Sequence, residues 1–194
     1  MVVEMANLFA DVSSYQTDDV SYIKDLGAQA VVVKITEGSA DGTAYKNPKA
    51  LNQTQSALEA GMKAHLYHYA LYTSAQDAQN EADFFNDYAK ELGFNNDCVM
   101  VIDVEDSSIE STDTYNNTVA FLDRLRNLGW DKLAVYSMAS WFWQQKLPTT
   151  DAIWVANYTT DGPGVDGATA WQFTNAYNGL SLDMSDDYTG LFTA

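Results

Sequence analysis

Short apolar runs alternate along the chain with segments whose apolar residues recur at helical spacing. Residues 30–35 include three consecutive valines, which is typical of a strand that is buried on both faces. Residues 74–77 resemble a helix capping box, and Asn47 followed by Pro48 favours the start of another helix. These signals predict strands and helices in alternation.

The whole pattern predicts eight strands, of which five are followed by helices and the last three are not. The predicted strands are residues 7–11, 30–35, 63–70, 98–105, 132–137, 152–157, 168–173 and 180–183. The predicted helices are residues 18–26 (Asp18 as cap, Gly27 as stop), 47–59, 74–93, 113–128 and 140–147. Such alternation indicates an α/β protein, and eight strands suffice to close a barrel. An open, doubly wound sheet is the alternative, although the sequence has no Gly-rich phosphate loop.

Length and charge narrow the class of protein. With 194 residues the chain is expected to form one domain, residues 1–194. Its 10 basic and 27 acidic residues give a formal net charge of −17, which would repel nucleic acids and anionic membranes. The helix at residues 74–93 is expected to have a solvated acidic face formed by Asp77, Glu81, Asp83, Asp87 and Glu91. The single cysteine, Cys98, lies in an apolar run and is expected to be a buried, inert thiol.

Two features of the sequence concern its location in the cell. No stretch is long and apolar enough to span a membrane. Residues 1–5 lack the basic start and the apolar run of a signal peptide. We therefore expect either release by another route or a signal that has already been removed.

Polar side chains fall where the predicted strands end. They are Asp11, Glu37, Asp103, Glu105, Asn157, Gln172 and Asp183. In a parallel barrel the carboxyl ends of all strands meet on one face, which is where active sites are built. Acids that are distant in sequence are therefore expected to converge at one mouth.

The pair Asp103 and Glu105 carries the sharpest chemical signal. Residues two apart on a strand point to the same face, so both carboxyls would face one site. Close carboxylates raise each other's pKa, and a protonated carboxyl beside an ionised one suits glycosidic cleavage. These acids could instead cap the next helix, pair with Lys or Arg, or hold Mg²⁺ or Ca²⁺. His65 and His68 are three apart and would face opposite sides of a strand, so we expect no zinc site.

Aromatic residues gather at or near the predicted strand ends. They are Tyr67, Tyr69, Tyr136, Trp141, Trp154, Tyr158, Trp171 and Phe173. About half of them are expected to fill the core, and the remainder could stack against sugar rings. Together with the acids and amides, this composition favours a carbohydrate substrate.

At these residues the sequence resembles glycoside hydrolase family 25, the lysozymes or N-acetylmuramidases of bacteria, phages and some fungi. The matching segments are residues 9–16, 33–38, 61–69, 102–105, 154–158, 171–173 and 182–183. They occur in the family's order and span nearly the whole chain. The resemblance implies an irregular TIM-like barrel of five βα units followed by three strands.

The resemblance also implies hydrolysis of the β-1,4 bond between N-acetylmuramic acid and N-acetylglucosamine in peptidoglycan. By the match, Glu105 is the general acid, Asp103 is its partner, and Asp11 and Asp183 are the two further acids. Asp186 and Asp187 lie close to Asp183 and are alternatives to it. The residues expected to bind substrate are Glu37, Tyr69, Tyr136, Trp154, Asn157 and Gln172. No metal or cofactor is expected. The family's likeness to substrate-assisted chitinases favours attack by the substrate's own acetamido group, with Asp183 as the alternative nucleophile.

Three other functions compete with this prediction. A chitinase-like enzyme of family 18 carries Asp-x-x-Asp-x-Asp-x-Glu, but two of its three Asp positions are Cys98 and Val101 here. A catalytically inactive glycan-binding barrel would not need all four acids. A metal-dependent sugar enzyme would lose activity to a chelator. The expected partner is the peptidoglycan glycan strand, met by a monomer that is either secreted or released through a phage holin.

Overall fold

Eight strands close into a barrel in the computed structural model, which describes residues 7–158 and 160–194. The strands are β1 Leu8–Val12, β2 Ala30–Glu37, β3 Tyr45–Lys46, β4 Lys63–Tyr69, β5 Met100–Asp103, β6 Leu133–Met138, β7 Ala152–Ala156, β8 Ala170–Thr174 and β9 Asp183–Asp187. The α-helices are α1 Ala50–Glu59, α2 Ala75–Glu91, α3 Thr114–Asn127 and α4 Ala139–Trp143. The two-residue β3 pairs only with the end of β2. Residues 1–5, on which the signal-peptide prediction rests, lie outside the described range.

The pairing order around the barrel is β1-β2-β4-β5-β6-β7-β8-β9 and back to β1. Neighbouring strands from β1 to β8 are parallel, whereas β9 is antiparallel to both β8 and β1. Because β1 pairs on both sides, the open doubly wound sheet is excluded. The predicted barrel, with five strand–helix units followed by three strands, is confirmed.

The first of the five helical connections differs from the prediction. It is a 3₁₀-helix, Ser21–Leu26, without a side-chain cap. Asp18 is therefore not its cap; Asp19 Oδ1 instead accepts a hydrogen bond of 2.9 Å from Ser21 N. Gly27 ends the segment in the left-handed conformation, at φ 97°, as predicted.

The predicted bounds of the last strand are also wrong. Residues 180–183 were predicted as the eighth barrel strand, but β9 begins at Asp183 and runs to Asp187. The reversed direction of β9 keeps the beginning of this strand, rather than its end, on the face where the parallel strands finish.

Helix α2 packs against α3 and the barrel with its stripe of small and aromatic residues inward. Ser74 caps it by accepting a bond from Asp77 N, as the capping box predicts. The predicted acidic outer face is wrong at one position. Glu81 is 1% exposed and points inward, because it shares its helical face with Ala78, Ala82 and Phe85.

Alternate residues of each strand fill the barrel, and the others pack against the surrounding helices. At the amino ends of the parallel strands, Phe192 stacks on Phe9 with ring centroids 4.4 Å apart and closes the barrel. His65 accepts a bond from Val99 N and places Nε2 2.9 Å from Phe192 O. Burial lowers the pKa of His65 to about 4, so the ring is a neutral packing element near neutral pH.

Two further expectations concern the thiol of Cys98 and the presence of a membrane-spanning helix. Cys98 is buried, and burial raises the pKa of its thiol, which fits an inert residue. Within the described residues no helix is long and apolar enough to cross a membrane.

Candidate active site

One row of paired residues runs across five neighbouring strands near the carboxyl ends. Glu37 on β2 pairs with Tyr69 on β4, Tyr69 with Asp103 on β5, Asp103 with Tyr136 on β6, and Tyr136 with Trp154 on β7. All five were predicted as site residues. The strand register therefore brings them to one level of the barrel.

A β-bulge in β2 decides which way Glu37 points. The register with β4 shifts between Lys34 and Thr36, so Ile35 and Thr36 both face outward. Glu37 then faces the mouth together with Lys34, whose Nζ lies 2.8 Å from Glu37 Oε2. The same ammonium group sits 4.4 Å from the ring centroid of Tyr69.

Asp11 and Asp183 face each other across the β1–β9 pair. They are directly opposed in the antiparallel register, so their Cβ atoms are roughly 4.5–5.5 Å apart. Asp186 is the partner of Leu8 at the other end of the strand. Asp187 is buried there and accepts bonds from four backbone N–H groups. Asp183 is therefore the acid of this segment that lies at the mouth.

Glu105 follows β5 by two residues and continues its alternation. Val104 between the two acids packs outward, and its carbonyl accepts a bond of 2.6 Å from Ser137 Oγ on β6. Val104 N also donates to Tyr136 O at 3.0 Å. These contacts hold the backbone beyond the strand end, so Asp103 and Glu105 share the inner face as predicted. Glu105 is half-buried, whereas Asp103 is only 6% exposed.

Burial raises the pKa of all four acids, and repulsion from neighbouring carboxylates adds to it for Asp11, Asp103 and Glu105. For Asp11 and Asp103 burial is the larger cause, and the charges of the other acids add to it. Burial likewise raises the pKa of Glu105, with Asp183 as the next cause, while Lys34 acts in the opposite direction. Burial also raises the pKa of Asp183. Such coupled groups titrate as one cluster, which retains protons at a pH where isolated carboxyls are ionised.

Gln172 joins Asp11 to two tyrosines. Its Nε2 donates to Asp11 Oδ2 at 2.8 Å, and its Oε1 accepts from Tyr136 at 2.9 Å and from Tyr158. This network fixes the orientation of the amide, because the tyrosine hydroxyls donate to its carbonyl oxygen. The hydrogen bond from Gln172 therefore fixes the position of the buried Asp11 carboxylate.

Asp106, next to Glu105, caps the following helix, which was the alternative role for Asp103 and Glu105. Its Oδ1 accepts a bond of 2.8 Å from Ser108 N at the 3₁₀-helix Ser107–Ile109, and its Oδ2 accepts one of 3.1 Å from Tyr69. These bonds hold the pKa of Asp106 below its usual range. The other two acids are thereby left free of a helix-capping role.

Two comparisons place this arrangement among known proteins. Residues 10–181 match the family described as Glycosyl hydrolases family 25. The chain belongs to that family. This family 25 chain is therefore a glycoside hydrolase. None of the curated proteins matches it significantly.

Solved structures share the fold of this family 25 protein. The catalytic domain of endolysin Ply40, from bacteriophage P40 of Listeria monocytogenes, is 24% identical with a TM-score of 0.80, over 97% of this chain and 96% of that one. A glycosyl hydrolase 25 of Streptococcus pneumoniae, GHIP, is 15% identical with a TM-score of 0.79, over 93% and 86%. The modular Cpl-1 endolysin is 24% identical with a TM-score of 0.75; the match covers 96% of this chain and 55% of that one.

Two of the residues expected to bind substrate are buried below the mouth of the barrel, and a third is turned away from it. Gln172 and Trp154 are each 2% exposed, which leaves no surface for stacking on a sugar. Trp154 packs between Phe9 and Tyr136, and its Nε1 donates to Ser185 Oγ at 2.9 Å. Asn157 is turned toward the following loop, where its Nδ2 donates to Pro163 O at 3.0 Å.

Three further side chains contribute to the site: Lys34 was not predicted as a site residue, and Tyr67 and Tyr158 were predicted only as members of the aromatic group near the strand ends. Lys34 lies within the matching segment at residues 33–38 and brings a positive charge to the acids. Tyr67 shares the inner face of β4 with Tyr69 and lines a small recess with Asp11 and Asp103. Tyr158 bonds to Gln172. The alternation of β4 could have identified Tyr67, since it lies two residues before Tyr69.

His65 and His68 lie on opposite faces of β4, as their spacing predicts. His65 is inside the barrel, whereas His68 is outside it and bonds to Thr36 and Glu81. In the part of the chain that the structure describes, no three His, Cys, Asp or Glu side chains have the arrangement of a metal site.

Proposed function

We propose that this family 25 chain is an N-acetylmuramidase that hydrolyses the β-1,4 bond between N-acetylmuramic acid and N-acetylglucosamine in peptidoglycan. The observation that carries the proposal is the meeting of Asp11, Asp103, Glu105 and Asp183 at one mouth of the barrel. Two of the similar solved structures are endolysins, and Cpl-1 was crystallised with a peptidoglycan analogue. A glycan strand is the substrate class that suits such a mouth.

Glu105 acts as the general acid. Its carboxyl is more accessible than that of Asp103, and burial raises its pKa, which favours the protonated form that a general acid needs. When a glycosidic oxygen lies next to it, the proton moves from Glu105 to that oxygen as the C–O bond breaks. Asp103 lies deeper on the same inner face. Burial and the nearby Glu105 raise its pKa, so the two carboxyls titrate together.

The other acids stabilise the positive charge that develops on the sugar ring. Asp183 is only half-buried and faces the mouth, so its carboxylate is placed to stabilise an oxocarbenium-like transition state. Asp11 is held by Gln172 and adds negative potential from below. The substrate's 2-acetamido oxygen attacks C1 as the bond to the leaving oxygen breaks, which gives a cyclic oxazolinium ion. Water then adds to C1, its proton returns to Glu105, and the acetamido group is released.

The rim of the groove binds sugar hydroxyl groups. Glu37 and Tyr69 are partly exposed, and the Lys34 ammonium group holds both in place. Tyr136 lines the floor, and Gln172 and Trp154 support it from beneath. The enzyme acts as a monomer on the bacterial cell wall, which it reaches by secretion or by release during phage lysis.

Digestion of purified cell walls tests the proposal. We expect new reducing ends on muramic acid; new amino groups would indicate an amidase or a peptidase, and loss of activity with a chelator would indicate a metal enzyme. Binding without any new ends would indicate an inactive glycan-binding barrel.

Glu105→Gln tests the assignment of the acid. The amide keeps the size of the side chain but cannot supply the proton, so kcat should fall by about 10²–10⁴-fold while the protein remains folded. Glu91→Gln is the matched control, because Glu91 is exposed on α2 and pairs with Lys46. Wall cleavage at the full rate by folded Glu105→Gln would contradict the assignment.

A further inference from the structure

The bulge of β2 is held from outside the barrel by a chain of buried hydrogen bonds. Thr36 Oγ1 lies 2.8 Å from His68 Nδ1, and His68 Nε2 lies 2.9 Å from Glu81 Oε2. The Glu81 carboxylate also accepts from Leu71 N at 3.2 Å. Thr36 and His68 have no exposed surface, and Glu81 has almost none.

A buried chain of ionisable side chains is a poor way to stabilise a fold, which points to another role for these hydrogen bonds. Taking a carboxylate and an imidazole out of water is strongly unfavourable unless each of their hydrogen bonds is made. An apolar contact would join α2 to the sheet more cheaply. The rings of Phe85 and Phe121 already pack on His68, with centroids 5.5 and 5.3 Å away. The chain ends on Thr36, which is the one polar side chain that the bulge turns outward.

The backbone of the bulge is fixed from a second direction. Asn47 Nδ2 donates to Lys34 O at 2.8 Å, and Asn47 N donates to Ile35 O at 2.9 Å. These bonds satisfy the carbonyl groups of the two residues before Thr36. The hydroxyl bond to His68 holds Thr36 itself on the outer face of the strand.

The direction of Thr36 determines the direction of Glu37. Successive residues of a strand point to opposite sides, so a strand without the bulge would turn Thr36 into the barrel and Glu37 away from the mouth. Glu37 would then lose its contact with Lys34, which is 2.8 Å in length. The chain behind the sheet and the carboxylate at the groove are therefore parts of one arrangement.

We propose that Thr36, His68 and Glu81 are positioning residues for substrate binding: their buried hydrogen bonds hold the β2 bulge so that Glu37 faces the glycan groove beside Lys34. This proposal rests on the proposed function, in which Glu37 binds sugar hydroxyls. None of the three touches the substrate.

The test is a double-mutant cycle between Thr36 and Glu37. Thr36→Val keeps the shape of the side chain and removes the hydroxyl group; Thr36→Ser keeps the hydroxyl. We expect Thr36→Val to raise KM for cell walls about tenfold with little change in kcat, and Thr36→Ser to stay within about twofold of the wild type. In a Glu37→Gln background, Thr36→Val should have no further effect on KM, since the residue that it positions has already lost its charge.

Thr118→Val is the matched control. Thr118 is a fully buried threonine that bonds to Tyr72 at 2.6 Å on α3, away from the bulge. It should lower the melting temperature as much as Thr36→Val does and leave KM unchanged. An equal rise in KM from Thr36→Val in both Glu37 backgrounds, or an equal rise from Thr118→Val, would overturn the proposal.

A substrate-free measurement separates this inference from the proposed function. In a crystal structure of Thr36→Val, Glu37 should leave Lys34 and the register between β2 and β4 should change. If the bulge and the Lys34–Glu37 pair persist unchanged, the inference is wrong whatever the substrate is. If the wild type releases no reducing ends from walls, the proposed function fails, and this structural outcome still decides whether the bonds hold the bulge.

Discussion

At the scale of single residues, burial is the main cause that raises the pKa of Glu105, and two neighbours of opposite charge adjust it further. Asp183 raises the pKa of Glu105, because a second negative charge nearby opposes ionisation. Lys34 acts in the opposite direction, since its ammonium group favours the carboxylate. The pH range in which the acid can donate therefore depends on both.

This balance predicts opposite shifts in the pH dependence of kcat/KM. An enzyme that needs protonated Glu105 loses activity as the pH rises through the pKa of that group. In Asp183→Asn the pKa of Glu105 should fall, so the decline in the residual activity should move to lower pH by roughly one unit. In Lys34→Met the pKa should rise, and the decline should move to higher pH.

The measurement is a pH profile of kcat/KM on soluble glycan fragments for the wild type and both variants. Lys46→Met serves as the control, because Lys46 is exposed and pairs with Glu91 away from the mouth. Shifts of the same sign in Asp183→Asn and Lys34→Met would show that another group carries the proton.

At the scale of elements, the end of β9 organises the last turn of the chain. Asp187 is buried and accepts bonds from Thr189, Gly190, Phe192 and Thr193 N–H groups, between 2.8 and 3.2 Å. This turn places Phe192 against Phe9 at the closed end of the barrel. The Asp187 carboxylate thus links the end of β9 to the following turn and to the core residue Phe192.

Replacing Asp187 with Asn should destabilise the fold. The new amide group would face backbone N–H donors that need an acceptor, so the free energy of unfolding should fall by about 2–4 kcal/mol. A chain of this size would lose about 5–15 °C in Tm. Asp186→Asn is the control, since Asp186 faces outward on the same strand, and its effect should stay below about 1 kcal/mol. Equal losses in both variants, measured by thermal denaturation, would contradict this role for Asp187.

Much of the element order was readable from the sequence, because buried parallel strands are almost entirely apolar and glycines end the helices. The direction of β9 was not, since its residues are mostly polar and carry no apolar run. The bulge at Ile35 was also invisible, because a shift of register depends on pairing with β4 and not on β2 alone. Glu81 was assigned to a solvated face because its partner, His68, comes from another element.

The same division holds at the site. Asp103 and Glu105 could be paired from their spacing on one strand. The network through Gln172 could not, because it joins side chains from β1, β6 and the segment after β7. Local patterns give the direction of a side chain, but contacts between distant segments require the closed barrel.

At the scale of the whole molecule, the net charge of −17 opposes approach to an acidic wall. The Debye length falls from about 30 Å at 0.01 M salt to about 8 Å at 0.15 M, so added salt screens this repulsion. We expect kcat/KM on intact walls to rise at least about threefold over that range. Turbidity assays at constant pH would measure it.

Glycan strands stripped of their peptide stems are the control substrate, because they carry fewer acidic groups. Their cleavage should depend only weakly on salt. An intact-wall rate that falls as salt is added would indicate that local positive groups such as Lys34 dominate the encounter, rather than the overall charge.

The antiparallel direction of β9 also decides where the chain can be extended. Asp187 N donates to Asn7 O at 2.9 Å, so the first and last strands meet at the end of the barrel opposite the acids. The final residue stays at that end, where Ala194 O accepts a bond from Lys63 at the start of β4. A wall-anchoring module joined after Ala194 would therefore sit behind the acidic mouth and leave it open to a substrate as broad as a cell surface.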